Sequence, residues 1–503
     1  MKSLNIKISI FLLLSLAVVS SCNDILDQKP INAVTQKQFW RNNNDAQLAV
    51  TSIYSILRSS LEGLTKSDVP TSARGSSWGD YMIYGDSRSG DWVNPADNDS
   101  DWKNIIANNL RAFPTLRDMH NWRLFYRVIE ECNLVLENVP GIVNNITDEQ
   151  KKLAVAHAYF VRGFVYFYMV RIWGDVPLNL KSENIEPLGR TDMNIILEQA
   201  ADDLRLALED LPEEYLVDGV PDRCKSKTTA TSGAANAVLA HVYMWQGEYA
   251  KAVDAIDAIE KSNVYRLMET EEFRELFDDG CSDEGIFEIF YSFESGESLG
   301  YYGSAVNWYF IQPFTSRENG SFGIPKTKIL EMFTDLSDKR IPQFFMSIGP
   351  PPNYEINANP LANDENRVMF AKYQKAPNFT AQYDHNIMLF RYGGILLLRA
   401  EAAARLGDTA DALLHMNMVR KRAGLDDYTN TNQDELIAEI LQERRRELTG
   451  ESHRFYDLMR NGIIHEFTGF VSENDEKNGG AFWPVADEAF LSNPSMTQNS
   501  FWE

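Results

Sequence analysis

Apolar residues recur at helical spacing over most of the chain, and two long stretches interrupt this pattern. The periodic stretches predict helices over 36–61, 122–139, 151–173, 194–211, 229–262, 388–406, 409–423 and 434–460. Over 67–104, Gly, Ser, Asp, Asn and aromatic residues replace the periodicity, and 263–385 is mixed. The tail over 482–503 is also rich in turn residues. We therefore expect a mainly α fold, with an irregular, loop-rich lobe beside a helical scaffold.

Two predicted helical hairpins share one spacing of small residues. The spacing occurs first in Ala240, Tyr243, Gly247, Ala250 and Ala252, and again in Ala400, Ala403, Gly407, Ala410 and Ala412. Small side chains allow two helices to approach closely, and glycine suits the turn between them. The repeat predicts a tetratricopeptide-like scaffold, although two unrelated alanine-rich hairpins would give the same pattern.

The first residues have the pattern of a secretory signal. Lys2 and Lys7 precede the apolar stretch 8–19, and small residues lead directly to Cys22. Val19-Ser20-Ser21-Cys22 is similar to a bacterial lipobox, so we expect cleavage before Cys22 and lipidation of its thiol. The alternative is an ordinary signal peptide with an incidental cysteine. Several acyl chains on one residue would anchor the protein stably to a membrane.

Charge and cysteine content narrow the functional classes. The chain has 48 Lys and Arg against 72 Asp and Glu, a net charge of −24, which disfavours a nucleic-acid partner. The seven histidines include no HExxH pair, which argues against a zinc enzyme. Cys132, Cys224 and Cys281 are too few and too widely spaced for a disulfide framework. One bridge and buried free thiols both remain open for these three.

Several segments together resemble a known family. They are 157–162 with 166–178, which ends in Gly-Asp-Val-Pro-Leu; 230–249; 390–402; the charged block 443–460; Pro484; and 493–499. In this order they resemble the SusD/RagB nutrient-uptake outer-membrane lipoproteins of Bacteroidetes, over nearly the whole mature chain. The resemblance implies a signal peptide over 1–21, an N-terminal region over 22–235 and a C-terminal region over 236–503, which includes a loop-rich insert over 263–387.

The resemblance also implies a function. Members of this family bind glycans, or in some cases peptides, and deliver them to a SusC-like TonB-dependent transporter at the outer membrane; they are not enzymes. Asp24 and Asp27 match the family's acidic export signal only in part, so outward orientation is the weaker expectation. The alternatives are a peptide-binding lid on the same type of transporter, a secreted glycosidase and a structural adaptor. A glycosidase would need two carboxylates facing each other across a cleft, and the sequence has no recognisable motif for such a pair.

Two aromatic clusters outside any helical period are the candidate ligand sites. The first comprises Trp78, Tyr81, Arg88, Asp91, Trp92 and Trp102, and the second comprises Tyr301, Tyr302, Trp308 and Tyr309. Flat aromatic rings cover the apolar face of a sugar, while Asp, Asn and Arg bond its hydroxyls. The pattern therefore favours carbohydrate. The alternative is that these aromatics form small cores within their own loops, or that Trp308 belongs to the face of a strand.

Two charged segments invite other interpretations. In 443–460, pairing at i,i+3 or i,i+4 along one helix would account for most of the arginines, and ion pairs to the following segment would fix how the helix docks. Asp97, Asp99 and Asp101 begin like a calcium loop, but Trp102 and Asn108 occupy the positions where an EF-hand needs Gly and Glu. We expect a solvated acidic loop there, with a looser calcium site as the alternative, and no cofactor otherwise.

Overall fold

The computed structural model describes residues 39–62, 80–93, 100–111, 117–291, 323–348, 356–357, 359, 361, 368–373 and 385–503. Most of these residues lie in helices, as the sequence predicts. The α-helices are α1 Asn43–Glu62, α2 Asp80–Gly85, α3 Ser100–Ile106, α4 Arg123–Asn138, α5 Asp148–Trp173, α6 Met193–Leu208, α7 Arg223–Thr228, α8 Ser232–Gln246, α9 Tyr249–Ser262, α10 Phe273–Asp278, α11 Lys326–Met332, α12 Ile341–Phe344, α13 Tyr392–Arg405, α14 Thr409–Arg422, α15 Gln433–Glu447, α16 Arg454–Arg460, α17 Ile464–Thr468, α18 Glu473–Lys477 and α19 Asp487–Ser492.

Helix α5 forms the centre of the scaffold. It begins with a capping box, in which the Thr147 side chain accepts from the backbone N–H of Gln150 and the Gln150 side chain accepts from that of Thr147. It is apolar on all sides and packs against α1, α4 and α6. Among the described residues it is the one helix long and apolar enough to cross a membrane. Because 83% of its apolar window is buried inside the protein, it is a core helix here.

The two predicted hairpins are confirmed. Helices α8 and α9 are joined through Gly247, and α13 and α14 through Gly407, with φ values of 75° and 83° that favour glycine. Ala240, Ala252 and Ala400 are fully buried, as expected where small residues let two helices approach. The fold is thus mainly α, with a tetratricopeptide-like arrangement of helical hairpins.

Short strands lie between the helical parts. They are β1 Leu216–Val217, β2 Val220–Pro221, β3 Gly285–Ile289, β4 Phe345–Ile348, β5 Ile356–Asn357, β6 Val368–Phe370 and β7 Ile387–Arg391. Strand β3 pairs with β7 in antiparallel register, with Glu288 opposite Met388 and Ile289 opposite Ile387. Every residue of both strands is buried. Strand β4 lies between β5 and β6 in a second antiparallel sheet, and β1 pairs with β2.

Three predicted boundaries are corrected. The helix predicted over 388–406 begins at Tyr392, because the apolar stretch before it is a strand buried on both faces and carries no period. The helix predicted over 434–460 breaks between Glu447 and Arg454. Gly450 has φ +77° in this break, and a Cβ there would lie 2.3 Å from the Phe370 ring. The stretch 67–104 includes the short helix α2 and most of α3.

One disulfide resolves the open cysteine assignment. Cys224 in α7 is bonded to Cys281 in the turn before β3, and Cys132 is a buried free thiol. The bond closes a loop between residues 57 apart in sequence. A cross-link of this span stabilises a fold by about 4 kcal/mol in the chain-entropy account. Disulfides of this kind persist in oxidising compartments.

His157 joins three parts of the scaffold through a closed hydrogen-bond circuit. The Tyr215 hydroxyl donates to the Ala230 carbonyl at 2.9 Å, so its oxygen accepts from His157 Nε2 at 3.0 Å. The neutral ring then accepts at Nδ1 from the Tyr54 hydroxyl at 2.8 Å. Burial, together with Lys225, lowers the pKa of His157 to about 4. The circuit thus needs an uncharged imidazole.

This circuit predicts a loss of stability in mild acid. The unfolded chain binds a proton near pH 6.5 and the folded chain does so only near 4, so the contribution is complete above pH 6.5 and is lost as the pH falls towards 4. We expect the difference in unfolding free energy between pH 7.5 and pH 4 to be about 3 kcal/mol smaller in His157→Gln than in wild type. Urea unfolding at several pH values measures this.

His465 provides the matched control. It is half-buried, and its hydrogen bond to Glu476 raises its pKa, so its contribution is present at low pH and is lost as the pH rises. His465→Gln should therefore alter the pH dependence in the opposite direction. A His157→Gln profile parallel to that of wild type would contradict the proposed circuit.

Candidate ligand-binding site

Six of the ten predicted ligand residues have side chains outside the described part of the structure. Trp78, Tyr301, Tyr302, Trp308 and Tyr309 lie wholly outside it, and the backbone of Trp102 belongs to α3 although its side chain is not described. Cys22, Asp97 and Asp99 are likewise outside, as is the side chain of Asp101. Their assignment to lipid, ligand or calcium stays a prediction.

The other four predicted ligand residues are buried, so in this structure their side chains do not offer the rings and polar groups that the sequence predicts for a sugar. Tyr81, Arg88, Asp91 and Trp92 are each at most 5% exposed. Trp92 packs edge-on against Phe370, with ring centroids 5.5 Å apart. The Arg88 guanidinium lies 4.4 Å from the centroid of the Phe455 ring and donates to Asn108 Oδ1 at 2.7 Å. These partners come from distant parts of the chain, so local sequence gives no sign that the four side chains pack inside.

The four residues belong to one segment, 80–93, which we call the floor segment. The Tyr81 hydroxyl donates to the Glu451 carbonyl at 2.9 Å, and the Ser452 N–H donates to Asp86 Oδ2 at 2.9 Å. Asp91 forms an ion pair with Arg445, whose Nε lies 3.1 Å from both carboxylate oxygens. Gly85 packs so closely that a Cβ there would lie 2.0 Å from Ser452 Oγ. The floor segment is therefore fixed onto the 443–460 block along its length.

The described residues that flank the two aromatic clusters meet one another. Val93 and Gly323 form an antiparallel bridge with N–H···O distances of 2.9 and 3.0 Å. The Arg58 guanidinium, near the end of α1, lies 5.6 Å from the centroid of the Tyr291 ring. The Tyr291 N–H donates to Asn386 Oδ1 at 3.0 Å. We call these five residues, Arg58, Val93, Tyr291, Gly323 and Asn386, the loop face.

The segments that hold the two predicted clusters begin or end close to residues of the loop face. The chain leaves the described structure after Glu62, Val93, Tyr291 and Tyr373, and returns at Asp80, Ser100, Gly323 and His385. Tyr373 and His385 both contact Phe277, through ring centroids 5.1 Å apart and through a hydrogen bond from His385 Nδ1 to the Phe277 carbonyl at 3.0 Å. The segment 292–322, which holds the second cluster, is thus flanked by Tyr291, which contacts Arg58 of α1, and by Gly323, which pairs with Val93 of the floor segment.

A buried ion network joins several elements of the fold. We define it as Arg391, Glu447, Glu451, Glu284, Lys372, Arg422, Arg340 and Asp338, all of them buried. Arg391, at the end of β7, binds three carboxylates, with distances of 2.7 Å to Glu451 and 2.6 Å to both Glu284 and Glu447.

The partners of Arg391 extend the network to other parts of the chain. Glu447 also pairs with Arg422 and with Arg340, which in turn binds Asp338 at 2.7 Å. Lys372 pairs with Glu451 and donates to the carbonyls of Glu447 and Thr449 at 3.1 Å each.

Burial and ion pairing shift the pKa values of these groups in opposite directions. Burial alone would raise the pKa of Glu447, but Arg422, Arg391 and Arg340 hold it well below its usual value. Burial would lower the pKa of Arg391, yet Glu451, Glu447 and Glu284 raise it well above the ordinary range. For Lys372, burial outweighs the attraction of Glu451 and lowers the pKa to about 8. Arg391 and Glu447 therefore stay charged because each has several partners of opposite charge.

Asp86 behaves differently. Its burial raises the pKa to about 7, against the lowering effect of the Ser452 N–H, and its Oδ1 has no hydrogen-bond partner. A buried carboxyl with a pKa near neutrality thus lies at the contact between the floor segment and the 443–460 block.

The predicted role of the 443–460 block is confirmed in its main part and corrected in detail. Arg444 binds Asp457 at 2.8 Å, and Arg460 binds both Asp457 and Glu401, so ion pairs do fix how the helix docks. Among the three arginines of α15 in this block, however, pairing along the helix accounts only for Arg446, which bonds Glu443 at 2.9 Å as well as Glu439. The partner of Arg445 is Asp91, 354 residues away in sequence.

Among the residues whose side chains are described, no group of three or more His, Cys, Asp or Glu is arranged to hold a metal ion. The acidic residues of the ion network are all paired with cations instead. The chemistry that this region offers is therefore structural support beneath a surface, without a described constellation for a metal or for a proton transfer.

Comparisons with family models and with known proteins point to one family. Residues 353–502 match the model of the "SusD family", and residues 85–244 match one described as "Starch-binding associating with outer membrane". The SusD-like protein P38 of Formosa agariphila is 28% identical over 98% of both chains. This chain belongs to the SusD/RagB family.

Solved SusD-family structures share the fold. A SusD superfamily protein from Bacteroides thetaiotaomicron VPI-5482 superposes with a TM-score of 0.77 at 27% identity, over 92% of this chain and 99% of the other. A laminarin-binding SusD-like protein superposes with a TM-score of 0.70 at 20% identity, over 92% and 99% of the two chains. The identity of the second pair shows a common fold only.

The Gly-Asp-Val-Pro segment that resembles the SusD family has a structural role in this chain. Gly174 ends α5, and Asp175 accepts from the backbone N–H of Met193 at 2.9 Å. Arg190 donates to the carbonyls of Trp173 and Asp175 and to Asn499 Oδ1 at 2.6 Å. The segment therefore ties the end of the core helix to α6 and to the C-terminal tail.

Sequence reasoning missed several residues that support the loop face of this SusD-family protein. Lys372, Asn386 and Ser452 have no local motif, since each acts on a partner at least 79 residues away. Gly450 offered one usable signal, because an isolated glycine in an otherwise regular stretch often marks a close approach of the backbone, whereas Gly85 lies in a glycine-rich stretch and offered none. Neither glycine identifies its neighbour.

The burial of Trp92 leads to the first prediction for this region. Trp92→Ala removes a buried indole against Phe370, and we expect a loss of about 3–5 kcal/mol in unfolding free energy. Trp92→Phe keeps an aromatic ring against Phe370 and should cost clearly less. Leu48→Ala, at an exposed position of α1, is the control and should change stability little. Urea unfolding that shows Trp92→Ala to be as stable as wild type would place Trp92 outside the core.

The ion network leads to the second prediction for this region. Glu447→Gln leaves Arg391, Arg422 and Arg340 short of one negative charge in the interior, and we expect a loss of about 3–5 kcal/mol. Glu435→Gln, exposed on the same helix, is the matched control and should be nearly neutral. Equal unfolding free energies for the two variants at pH 7 would show that the network does not stabilise the fold.

Proposed function

We propose that this protein binds a glycan above the loop face and delivers it to a SusC-like TonB-dependent transporter, as a lipid-anchored protein of the outer membrane that catalyses no reaction. The observation that carries the proposal is the meeting of Val93 with Gly323 and of Arg58 with Tyr291. These contacts join the flanks of two aromatic-rich segments whose composition suits the face and rim of a sugar.

The family comparisons support a carbohydrate ligand. One relative of the same fold is described as laminarin-binding, and one matching family model is described as starch-binding and associated with the outer membrane. Rigid scaffolds commonly carry their binding residues on variable loops. The ligand of this chain would then be set by the residues of the two predicted clusters.

Export and anchoring have their own support. The Cys224–Cys281 bond suits an oxidising compartment outside the cytoplasm. The signal-like stretch before Cys22 supplies a lipidation site, and lipid on that cysteine would keep the protein at the membrane where the transporter lies. Delivery to the transporter follows from the family's role.

Affinity gel electrophoresis of the mature chain without Cys22, through a panel of soluble polysaccharides, tests the proposal. We expect retardation by one glycan class, and a drop of about tenfold or more in affinity for Trp78→Ala or Trp308→Ala, as for the loss of a stacked aromatic anchor. Thermal unfolding should show that both variants keep the wild-type scaffold.

Tyr428→Ala provides the matched control, since Tyr428 lies in the turn between α14 and α15 and contacts Arg420. This variant should retain full affinity for the glycan. Absence of retardation by every polysaccharide, together with binding of peptides in a parallel titration, would replace the glycan by a peptide ligand. Wild-type affinity in the Trp78→Ala, Trp308→Ala double variant would remove both clusters from the site.

A further inference from the structure

A second cleft lies in the part of the scaffold where the Gly-Asp-Val-Pro segment meets the C-terminal tail. It has a volume of about 440 Å³, within the range of small-ligand sites. Trp122 and Tyr126 contribute aromatic rings, while Leu188 and Met496 line it with apolar side chains. None of the residues given above as flanking the predicted aromatic clusters lines this cleft.

The walls of this cleft are fixed by hydrogen bonds within the protein. The Tyr126 hydroxyl donates to the Pro177 carbonyl at 2.6 Å, so the ring is held in one orientation. The backbone of Asn179 both donates to and accepts from the Tyr166 hydroxyl at 2.8 Å. Asn493 Nδ2 donates to the Leu188 carbonyl at 2.7 Å and thereby joins the tail to the opposite wall. A preformed cleft loses little conformational entropy when a ligand enters.

The polar groups of the cleft suit neutral hydroxyls. Asn184 Nδ2 donates to Asn179 Oδ1 at 3.2 Å, and Asn493 Nδ2 donates to Leu188, so each amide nitrogen has a second hydrogen available for a ligand. The exposed carboxylate of Glu186 adds an acceptor. No Lys or Arg lines the cleft among the described residues, which disfavours an anionic ligand. Amides, one carboxylate and the half-buried ring of Tyr126 around a small cleft together match the face and rim of a sugar ring.

A peptide fits these groups less well. Extended peptides are recognised along a sheet edge or a groove that offers a line of backbone partners. The cleft instead offers separate side-chain amides around a short aromatic floor. We propose that this cleft, lined by Trp122, Tyr126, Asn184, Glu186 and Asn493, is a second binding site for a neutral oligosaccharide. The inference stands on the cleft's own residues and does not rest on ligand binding above the loop face.

Saturation-transfer NMR with laminarihexaose, maltohexaose and cellohexaose, each up to about 10 mM, tests this site at the affinities expected of a small cleft. The protein is the mature chain carrying Trp78→Ala and Trp308→Ala, which removes the predicted anchors of the loop face. We expect at least one of the three sugars to keep a signal in this background. Tyr126→Ala should weaken its binding about tenfold, because the ring is removed.

Tyr126→Phe is the matched control. It keeps the ring and loses only the hydroxyl, which already donates its hydrogen to the Pro177 carbonyl. Sugar affinity should therefore stay within about twofold of the parent. Pro494→Trp provides a second route, since Pro494 is exposed at the rim and a bulky ring there fills the cleft without removing a core contact. It should abolish the signal even if Tyr126→Ala proves too unstable to study.

The outcomes separate this site from the loop face. Retained signal in both Tyr126→Ala and Pro494→Trp, with normal thermal unfolding, would overturn the second site. So would the absence of any signal once Trp78 and Trp308 are replaced, although the proposed function would then stand. Binding in wild type that depends on Tyr126 and ignores Trp78 and Trp308 would support the second site and would contradict the proposed function.

Discussion

The pairing of buried charges around Arg391 and Glu447 is the constraint on which the rest of the structure depends. Moving a charged group out of water costs several kcal/mol, and only close partners of opposite sign offset that cost. Arg391 therefore needs Glu284, Glu447 and Glu451 together, and Glu447 needs Arg340, Arg422 and Arg391 together. These groups come from the turn before β3, from β7, α14 and α15, from the turn after α15 and from the segment before α12. A shift of any one of these elements would leave a charge unpaired, so the network fixes their relative positions.

Contacts with this network and with the residues next to it fix the position of the floor segment. Glu451 binds Arg391 through its side chain and Tyr81 through its carbonyl, and the next residue, Ser452, binds Asp86. Arg445 adds the ion pair to Asp91 from the same block. The charged interior thus reaches Val93 and, through the bridge to Gly323, the flanks of both predicted clusters.

Local signals in the sequence predicted the helical part well and the supports of the site poorly. The hairpins around Gly247 and Gly407 and the capped start of α5 follow from periodicity, small residues and turn chemistry within about 30 residues. The sequence predicts helix where β7 lies, because a strand buried on both faces lacks the alternation of apolar and polar residues that marks a strand. The sequence predicts Trp92 as a ligand residue because its packing partner Phe370 lies far along the chain and gives no local sign of the contact. The pairing of Cys224 with Cys281 was open for the same reason. Local sequence does not reveal contacts between residues that are far apart along the chain. The floor segment and the loop face are held mainly by contacts of this kind.

The core also connects the floor segment with the second cleft. Tyr84 of the floor segment contacts Trp173, Trp173 contacts Trp122, and Trp122 contacts Tyr126, with ring centroids 5.8 to 6.0 Å apart at each step. Close-packed aromatic rings of this kind hold two surfaces at a constant separation. If one long glycan reaches both, binding at the first site raises the effective concentration of the chain at the second, and the combined affinity exceeds that of either site alone. Short oligosaccharides that reach only one site would gain nothing from this, so a family member built in this way would favour long polymers over their fragments without any tight contact to a single sugar.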